Sequence, residues 1–231
     1  MTLDVSKHQP SARNSDGPRA WGLYALAGKR VIDVVVSACA LLLLCPLLLV
    51  ISALIKLTSP GPVFYSQNRV GLNGRLFKIV KFRSMVVGAD GAGPGITASG
   101  DPRITELGAR LRRFKLDELP QLWNVFKGDM SLVGPRPELP LYVESYDSSQ
   151  QKVVTVRPGL TDRASIDFRW EEELLAQCAD PQQFYREKVL PRKLALNLEY
   201  IEKISLKSDM LLIVGTVRSL VSAPTHKNVL P

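Results

Sequence analysis

The hydrophobic and polar positions divide the chain into one long apolar run and a longer stretch of mixed character. Between Val34 and Ile55 there are 22 residues without a charge. A helix of that length measures about 33 Å at about 1.5 Å per residue, which is enough to cross the hydrocarbon core of a bilayer. The run therefore predicts a membrane helix.

Two features of the run complicate a simple span. Pro46 follows Cys45 at the middle of the run, and a proline inside a helix removes a backbone hydrogen bond and clashes with the preceding turn. Basic residues also flank the run on both sides, although a spanning helix is oriented by an asymmetry of Lys and Arg. The residues alone leave open a kinked spanning helix and a re-entrant one. We predict the re-entrant form, with its break at Cys45 and Pro46 and both termini in the cytoplasm.

Beyond the run, the period of the pattern changes. Residues 63–70 and 76–82 are rich in β-formers and are separated by Gly-Leu-Asn-Gly, which predicts a hairpin. Helical spacing returns over residues 104–114 and 171–203, and residues 209–221 predict a short apolar helix that can lie on a membrane surface. The fold class expected is a mixed α/β, mostly helical cytosolic domain with a small β-hairpin, an N-terminal re-entrant segment and amphipathic surface helices.

These patterns also predict where the units begin and end. Residues 1–27 are polar and lack periodicity, so they are expected to form a disordered tail. The re-entrant helix is assigned to residues 28–57, the cytosolic domain to residues 58–222 and a C-terminal tail to residues 223–231.

Composition narrows the class of partner. The chain has 30 Lys and Arg against 22 Asp and Glu, a net charge of +8, which favours an anionic partner. Only 7% of residues are aromatic, so base stacking and nucleic-acid binding are not expected. Three scattered cysteines favour a reducing compartment, and the position of both histidines near the termini argues against histidine-based catalysis and histidine-bound zinc.

The strongest chemical signal is a pair of acids at a predicted helix start. Asp117 and Glu118 precede Pro120 and an apolar-periodic segment. One interpretation is that Asp117 caps the helix by accepting from free backbone N–H groups. The other follows from the neighbours, because carboxylates among guanidinium groups are typical of a site for phosphate and a divalent metal. The basic residues concerned are Arg112, Arg113, Lys115 and Arg136, and Lys81 and Arg83 lie on one face of the second predicted strand.

Several long motifs give the chain a family resemblance. They are KRVID at residues 29–33, PGPVFYSQNRVG at 60–71, FKIVKFRSM at 77–85, LDELPQ at 116–121, GDMSLVGPRP at 128–137 and RPGLT at 157–161. With the proline-split apolar run, these motifs make the chain resemble the bacterial sugar transferases, monotopic polyprenyl-phosphate phosphoglycosyl transferases. The resemblance covers residues 28–221. Cys45, where the family often has Ser, and residues 161–169 depart from the family pattern.

The resemblance implies an activity and a set of residues. The enzyme would transfer a phospho-sugar from a UDP-sugar to undecaprenyl (polyprenyl) phosphate, which starts a bacterial surface glycan on the cytosolic face of the inner membrane. Asp117 would be the nucleophile that forms a covalent phospho-sugar intermediate, Glu118 would assist it, and both would bind Mg2+. The substrate-binding residues would be Lys81, Arg83, Arg112, Arg136, Pro137 and Arg157.

Other readings remain open. A Mg2+-dependent lipid-phosphate hydrolase would use the same carboxylates but transfer the phosphoryl group to water. A non-catalytic membrane-tethered module would need only the basic surface. A homodimer is also an expectation, and the residues do not identify the sugar.

Overall fold

The apolar run forms one helix in the computed structural model, which describes residues 24–89 and 96–221. Helix α1 extends over Lys29–Thr58 and follows a π-helical turn at Tyr24–Gly28, so the helical chain begins four residues before the predicted boundary at 28. Helix α1 is long and apolar enough to cross a membrane. It continues through Pro46, and the predicted break is not confirmed. The rest of both predicted tails lies outside the described residues.

The predicted hairpin is confirmed. Strands β1 (Phe64–Val70) and β2 (Leu76–Phe82) pair antiparallel, with Phe64 opposite Phe82 and Val70 opposite Leu76. The connection turns at Asn73 and Gly74, which both adopt a positive φ, as an Asn-Gly turn requires. A second sheet consists of two short parallel strands, β3 (Ser131–Val133) and β4 (Gly159–Thr161).

The rest of the domain is helical. The α-helices are α2 (Glu106–Arg113), α3 (Gln121–Lys127), α4 (Pro140–Val143), α5 (Arg163–Asp167), α6 (Glu171–Ala176), α7 (Pro181–Phe184), α8 (Leu190–Glu202) and α9 (Leu206–Val221). Short 3-10 turns lie at Leu72–Gly74, Leu116–Glu118 and Gln150–Thr155, and a π-helical turn lies at Tyr185–Val189. The domain is therefore mostly helical with small sheets, as the sequence predicts.

Two hydrophobic clusters position the elements around the site. The larger one joins α8 to the 3-10 turn at Gln150–Thr155 and the strand β3, with Val133, Val153, Val189 and Leu194 buried inside it. The smaller one packs Ile51 and Ile55 of α1 against Phe82 of β2 and Leu111 of α2. The C-terminal end of α1 is thus fixed to the strand and the helix that lead into the acidic pair.

Helix α2 is held close to the end of β2. Thr105 caps the helix by accepting from the Gly108 N–H at 3.0 Å. A Cβ added at Gly108 would lie 1.9 Å from the Ser84 carbonyl oxygen, so only glycine permits this approach. The contact places Arg112, one turn further along α2, beside Ser84.

Candidate active site

A cleft of about 370 Å3 opens between the hairpin, α2 and the segment from α6 to α8. Its charged lining is mainly basic and consists of Arg69, Lys81, Arg83, Arg103, Arg112, Arg136, Lys193, Asp117, Glu138, Glu171 and Glu172. Such an excess of guanidinium and ammonium groups attracts phosphate. Asp117 is the member of the predicted acidic pair that lines the cleft.

The acidic pair lies on a tight turn that presents both carboxylates to the interior. Lys115 adopts a left-handed conformation with a φ of 56°, and the 3-10 turn Leu116–Glu118 follows it directly. Asp117 and Glu118 are 4% and 9% exposed. Helix α3 begins only at Gln121 and has no side-chain cap, so the structure contradicts the capping interpretation of Asp117.

Both carboxylate oxygens of Glu118 are paired with cations. Its carboxylate accepts from the Lys81 ammonium at 3.0 Å and from both terminal nitrogens of Arg136, in a two-pronged ion pair. Burial opposes ionisation of Glu118, but the charges of Arg136 and Lys81 outweigh it and hold the pKa of Glu118 well below its usual range. Glu118 is therefore an anion that fixes two cations at the cleft.

The carboxylate of Asp117, unlike that of Glu118, is not fully paired. Its Oδ1 is buried and has no hydrogen-bond partner among the described residues. Burial, and then the negative charge of Glu118, raise the pKa of Asp117, although Lys81 and Arg112 act against this shift. A buried carboxylate oxygen without a partner is costly, and here it belongs to a residue that faces the cleft.

Three of the predicted phosphate-binding cations line the cleft, and they differ in the contacts that their charged groups make. Lys81 and Arg136 are both paired with Glu118 and share the cleft lining with Asp117. Arg112 contacts Glu172 and the Ser84 hydroxyl, and its Nε is buried without a partner in the described part of the chain. All three guanidinium or ammonium groups lie beside the acidic turn, as predicted.

Other predicted residues have structural contacts instead. Arg83 lines the cleft but donates to the carbonyls of Ser59 and Pro60 at 2.7 and 2.8 Å, which anchors the chain after α1. The Pro137 carbonyl accepts from Arg69 at 3.2 Å and does not line the cleft. Arg157 is exposed, donates to the Gly128 carbonyl at 3.1 Å and also lies off the cleft. The structure therefore does not bring Pro137 and Arg157 to this cleft with Asp117.

One wall of the cleft was missed from the sequence. This far wall consists of Glu138, Glu171, Tyr185 and Lys193. The Tyr185 hydroxyl donates to Glu138 at 2.7 Å, while the Lys193 ammonium pairs with Glu171 and lies 5.0 Å from the Tyr185 ring centroid. Burial, followed by the charge of Glu138, raises the pKa of Tyr185 well above its usual value. These residues come from three segments that are far apart in the sequence, so no local motif predicts that they meet.

The residues of the acidic turn fit only part of a magnesium site. The unpartnered Oδ1 of Asp117 is an oxygen of the kind that Mg2+ binds, whereas both oxygens of Glu118 are engaged by cations. The described residues contain no group of three acidic, histidine or cysteine side chains suited to a metal. A site with one carboxylate suits Mg2+ only where substrate phosphates and water complete the shell.

The chain belongs to the bacterial sugar transferase family, because the family's sequence model matches residues 24–223. It is 37% identical over 197 residues to a UDP-N-acetylgalactosamine-undecaprenyl-phosphate N-acetylgalactosaminephosphotransferase of Aeromonas hydrophila. It is 38% identical over 198 residues to a UDP-glucose:undecaprenyl-phosphate glucose-1-phosphate transferase of Caulobacter vibrioides. An exopolysaccharide production protein of Rhizobium leguminosarum is 40% identical over 200 residues.

The lengths of these relatives differ. Each match takes in 83 or 84% of this chain. It covers 44% of the Aeromonas protein, 70% of the Caulobacter protein and 94% of the Rhizobium protein. The apolar helix, the hairpin and the acidic turn all lie within residues 24–223, which the family model matches.

Proposed function

We propose that this chain transfers a phospho-sugar from a UDP-sugar to undecaprenyl phosphate and releases UMP. The observation that carries the proposal is Asp117, a buried carboxylate with an unpartnered oxygen on a basic cleft. The names of the Aeromonas and Caulobacter relatives describe this type of reaction. The name of the Rhizobium relative places it in exopolysaccharide production, so the product is expected to start a surface glycan.

The proposed chemistry has two steps on one phosphorus atom. An Asp117 oxygen attacks the phosphorus that bears the sugar, and the bond from that phosphorus to the UMP oxygen breaks, so UMP leaves with the electron pair. An oxygen of the lipid phosphate then attacks the same phosphorus, and the bond to Asp117 breaks. The carboxylate is regenerated, which makes the mechanism ping-pong.

The cations of the cleft make an attack by one anion on another feasible. Lys81 and Arg136 are held by Glu118, so their positive charge is in place before the substrate arrives, which is electrostatic preorganisation. Arg112 approaches from α2, and its buried Nε can donate to a phosphate oxygen. Mg2+ bound to the diphosphate would neutralise further charge. Glu118 acts here as a positioning residue for the cations.

A burst experiment tests this proposal. Purified enzyme mixed with a panel of UDP-sugars and Mg2+, without lipid acceptor, should release about one equivalent of UMP for the correct sugar. Intact-protein mass spectrometry should then show the added mass of one sugar phosphate. Continuous UMP release without acceptor would indicate the hydrolase instead, and the absence of both burst and adduct would contradict covalent catalysis.

We also infer that α1 is re-entrant, with both of its ends at the cytosolic face. At its N-terminal end, Arg30 donates to the carbonyls of Val125 and Phe126 at 2.6 and 2.7 Å, and Asp33 accepts from the Leu132 N–H at 2.9 Å. At its other end, Ile51 and Ile55 are buried in the same domain.

The buried residues of α1 lie towards its two ends, at Asp33, Ser37, Ile51 and Ile55, and none lies in the middle. Leu42 and Leu43 are 78% and 81% exposed, and they lie just before Pro46. A straight helix across a bilayer would separate its ends by the membrane, whereas contacts with one domain near both ends of α1 favour both ends on one side. A bend at Pro46 within the bilayer satisfies both conditions.

The topology can be tested by cysteine labelling. A cysteine at Ser11, in a variant whose native cysteines are replaced by alanine, should stay unlabelled when an impermeant maleimide is added to intact cells and react after lysis. Pro46→Leu should favour a continuous spanning helix and make the same cysteine accessible from outside. Labelling in intact cells without the Pro46 change would contradict the re-entrant form.

A further inference from the structure

We propose that an apolar rim on the cleft, formed by Pro62, Phe64, Val86 and Val87, binds the first isoprenoid units of the lipid acceptor. The inference rests on the proposed function and adds a binding site for the chain of the acceptor to the site for its phosphate. Each residue of the rim lines the same cleft as Asp117.

The rim exposes apolar side chains at the cleft, although phosphate binding alone requires only polar and charged groups. Phe64, Val86 and Val87 are 52, 48 and 65% exposed. Burying side chains of this kind against a hydrocarbon is favourable by about 25 cal/mol per Å2 of apolar area. An uncovered group of such residues beside a charged cleft indicates a ligand with both apolar and charged parts.

The rim is continuous with the end of the membrane helix. The Phe64 ring stacks on Phe82 with 5.5 Å between the centroids, and Phe82 is buried against Ile51 and Ile55 of α1.

Val87 makes the second connection to the helix end. A Cβ added at Gly61, three residues after α1 ends at Thr58, would lie 2.7 Å from a methyl carbon of Val87. The Arg83 guanidinium borders Gly61 as well, so the uninterrupted apolar contact from α1 to the edge of the cleft is the one through Phe82 and Phe64.

The cleft lining carries both kinds of group that a polyprenyl phosphate requires. Lys81 lies opposite Tyr65, the neighbour of Phe64, in the hairpin, and Arg112 and Asp117 line the same cleft as the rim. A polyprenyl phosphate presents a long apolar chain and then a single phosphate. With the phosphate at the cations, the first isoprenoid units fall on the rim and the remainder of the chain stays in the lipid phase around α1.

Acceptor kinetics of Phe64→Ser and Val87→Ser test this site. The KM for undecaprenyl phosphate in nanodiscs should rise about tenfold for each variant, since a lost apolar contact of this size corresponds to about one decade. The KM for the UDP-sugar should change much less. Phe64 also packs on Phe82, so Val87→Ser is the variant that separates binding from folding.

Leu76→Ser is the matched control. Leu76 is 60% exposed on the opposite end of the same hairpin and does not line the cleft, so its acceptor KM should stay at the wild-type value. Flotation with liposomes that lack polyprenyl phosphate measures general membrane binding. Unchanged acceptor KM in both rim variants would overturn the proposal, as would a loss of flotation that accounts for the whole effect. Absence of donor-dependent UMP release in the wild type would instead contradict the proposed function.

Discussion

The acidic turn at Leu116–Glu118 and the far wall of the cleft both place carboxylates beside cations. The two regions differ in whether every carboxylate has a partner. On the far wall, Glu138 accepts from Tyr185 and Glu171 pairs with Lys193. On the acidic turn, Glu118 is paired twice, while the Oδ1 of its neighbour Asp117 has no partner among the described residues.

We propose that this difference distinguishes the carboxylates that stabilise the cleft from the carboxylate that acts as the nucleophile. A buried carboxylate that is fully paired is stabilised, and its oxygens are not available to a substrate. A buried carboxylate with a free oxygen costs stability, and such a cost is commonly retained where activity requires it. We therefore expect substitutions of Asp117 and Glu118 to have opposite effects on stability.

The largest expected effect is on activity in Asp117→Asn. Loss of the nucleophile should lower kcat by roughly a thousandfold or more, and the covalent adduct should be absent. Because the pKa of Asp117 is raised, its ionised form is disfavoured in the folded state, and its contribution to stability is lost as the pH rises through that pKa. The amide cannot ionise, so the variant should have a higher Tm than the wild type at pH 7.

Asp167→Asn is the control for this substitution. Asp167 forms an exposed ion pair with Arg163 one turn away on α5 and should tolerate the same change with little effect on kcat or Tm. An Asp117→Asn enzyme that keeps a tenth of the wild-type activity would contradict the nucleophile assignment.

Glu118→Gln should have the next largest effect, with the opposite sign on stability. The change leaves Lys81 and Arg136 together without their anion, which for a buried pair costs about 3 kcal/mol. For a chain of this size that loss corresponds to a fall in Tm of roughly 6–12 °C, measurable by calorimetry. Activity should also fall, because the two cations lose their fixed position.

The pH dependence of the wild type checks the same assignment. Since the pKa of Glu118 is depressed, its stabilisation is present above the ordinary glutamate value and is lost as the pH falls through the depressed value. The Tm difference between wild type and Glu118→Gln should therefore shrink at acidic pH. A second substitution, Arg136→Gln, should recover part of the stability of Glu118→Gln, and strict additivity of the two changes would contradict the pairing.

Lys193→Met tests the far wall and should have a smaller effect. It removes the pair with Glu171 and the contact with the Tyr185 ring, worth about 1 kcal/mol together in a partly exposed position. The Tm should fall by roughly 2–4 °C. The KM for the UDP-sugar should rise severalfold while the covalent adduct still forms. Loss of the adduct would instead show that Lys193 is required for the chemical step.

Local signals predicted the elements and the acidic turn well. The Asn-Gly turn with its flanking β-formers is encoded by neighbouring residues, and so is the spacing that places Leu111 of α2 in a core. The long uncharged run likewise specifies α1 through composition alone. The cations near Asp117 were predicted because Lys81 and Arg136 lie within motifs and Arg112 lies shortly before Asp117 in the chain.

The features that could not be predicted from the sequence depend on contacts between residues that are far apart in the chain. Lys193 is 76 positions from Asp117 in the chain, and only the packing of α8 brings it to the cleft. The parallel pairing of β3 with β4 likewise joins segments that have no local signal for each other. The alternative interpretation of Asp117 as a helix cap does not hold, because the chain makes a separate 3-10 turn before α3 begins, which helix-start patterns do not distinguish.

The smallest effect is expected at Arg157, which the motif RPGLT suggested as a diphosphate ligand. Its guanidinium is exposed and donates to the Gly128 carbonyl rather than facing the cleft. Arg157→Lys should therefore keep kcat and donor KM within about twofold of the wild type, as is usual for a surface change away from the site.

Arg136→Lys provides the matched contrast for this test. A lysine cannot reproduce the two-pronged contact that Arg136 makes with Glu118. The same substitution at this position should therefore lower kcat/KM by roughly thirtyfold, the loss expected for about 2 kcal/mol. Measured side by side at one pH and one salt concentration, the two variants compare a cation built into the cleft with one outside it. Equal losses at Arg157 and Arg136 would show that the phosphate-binding surface extends beyond this cleft to the segment before β4.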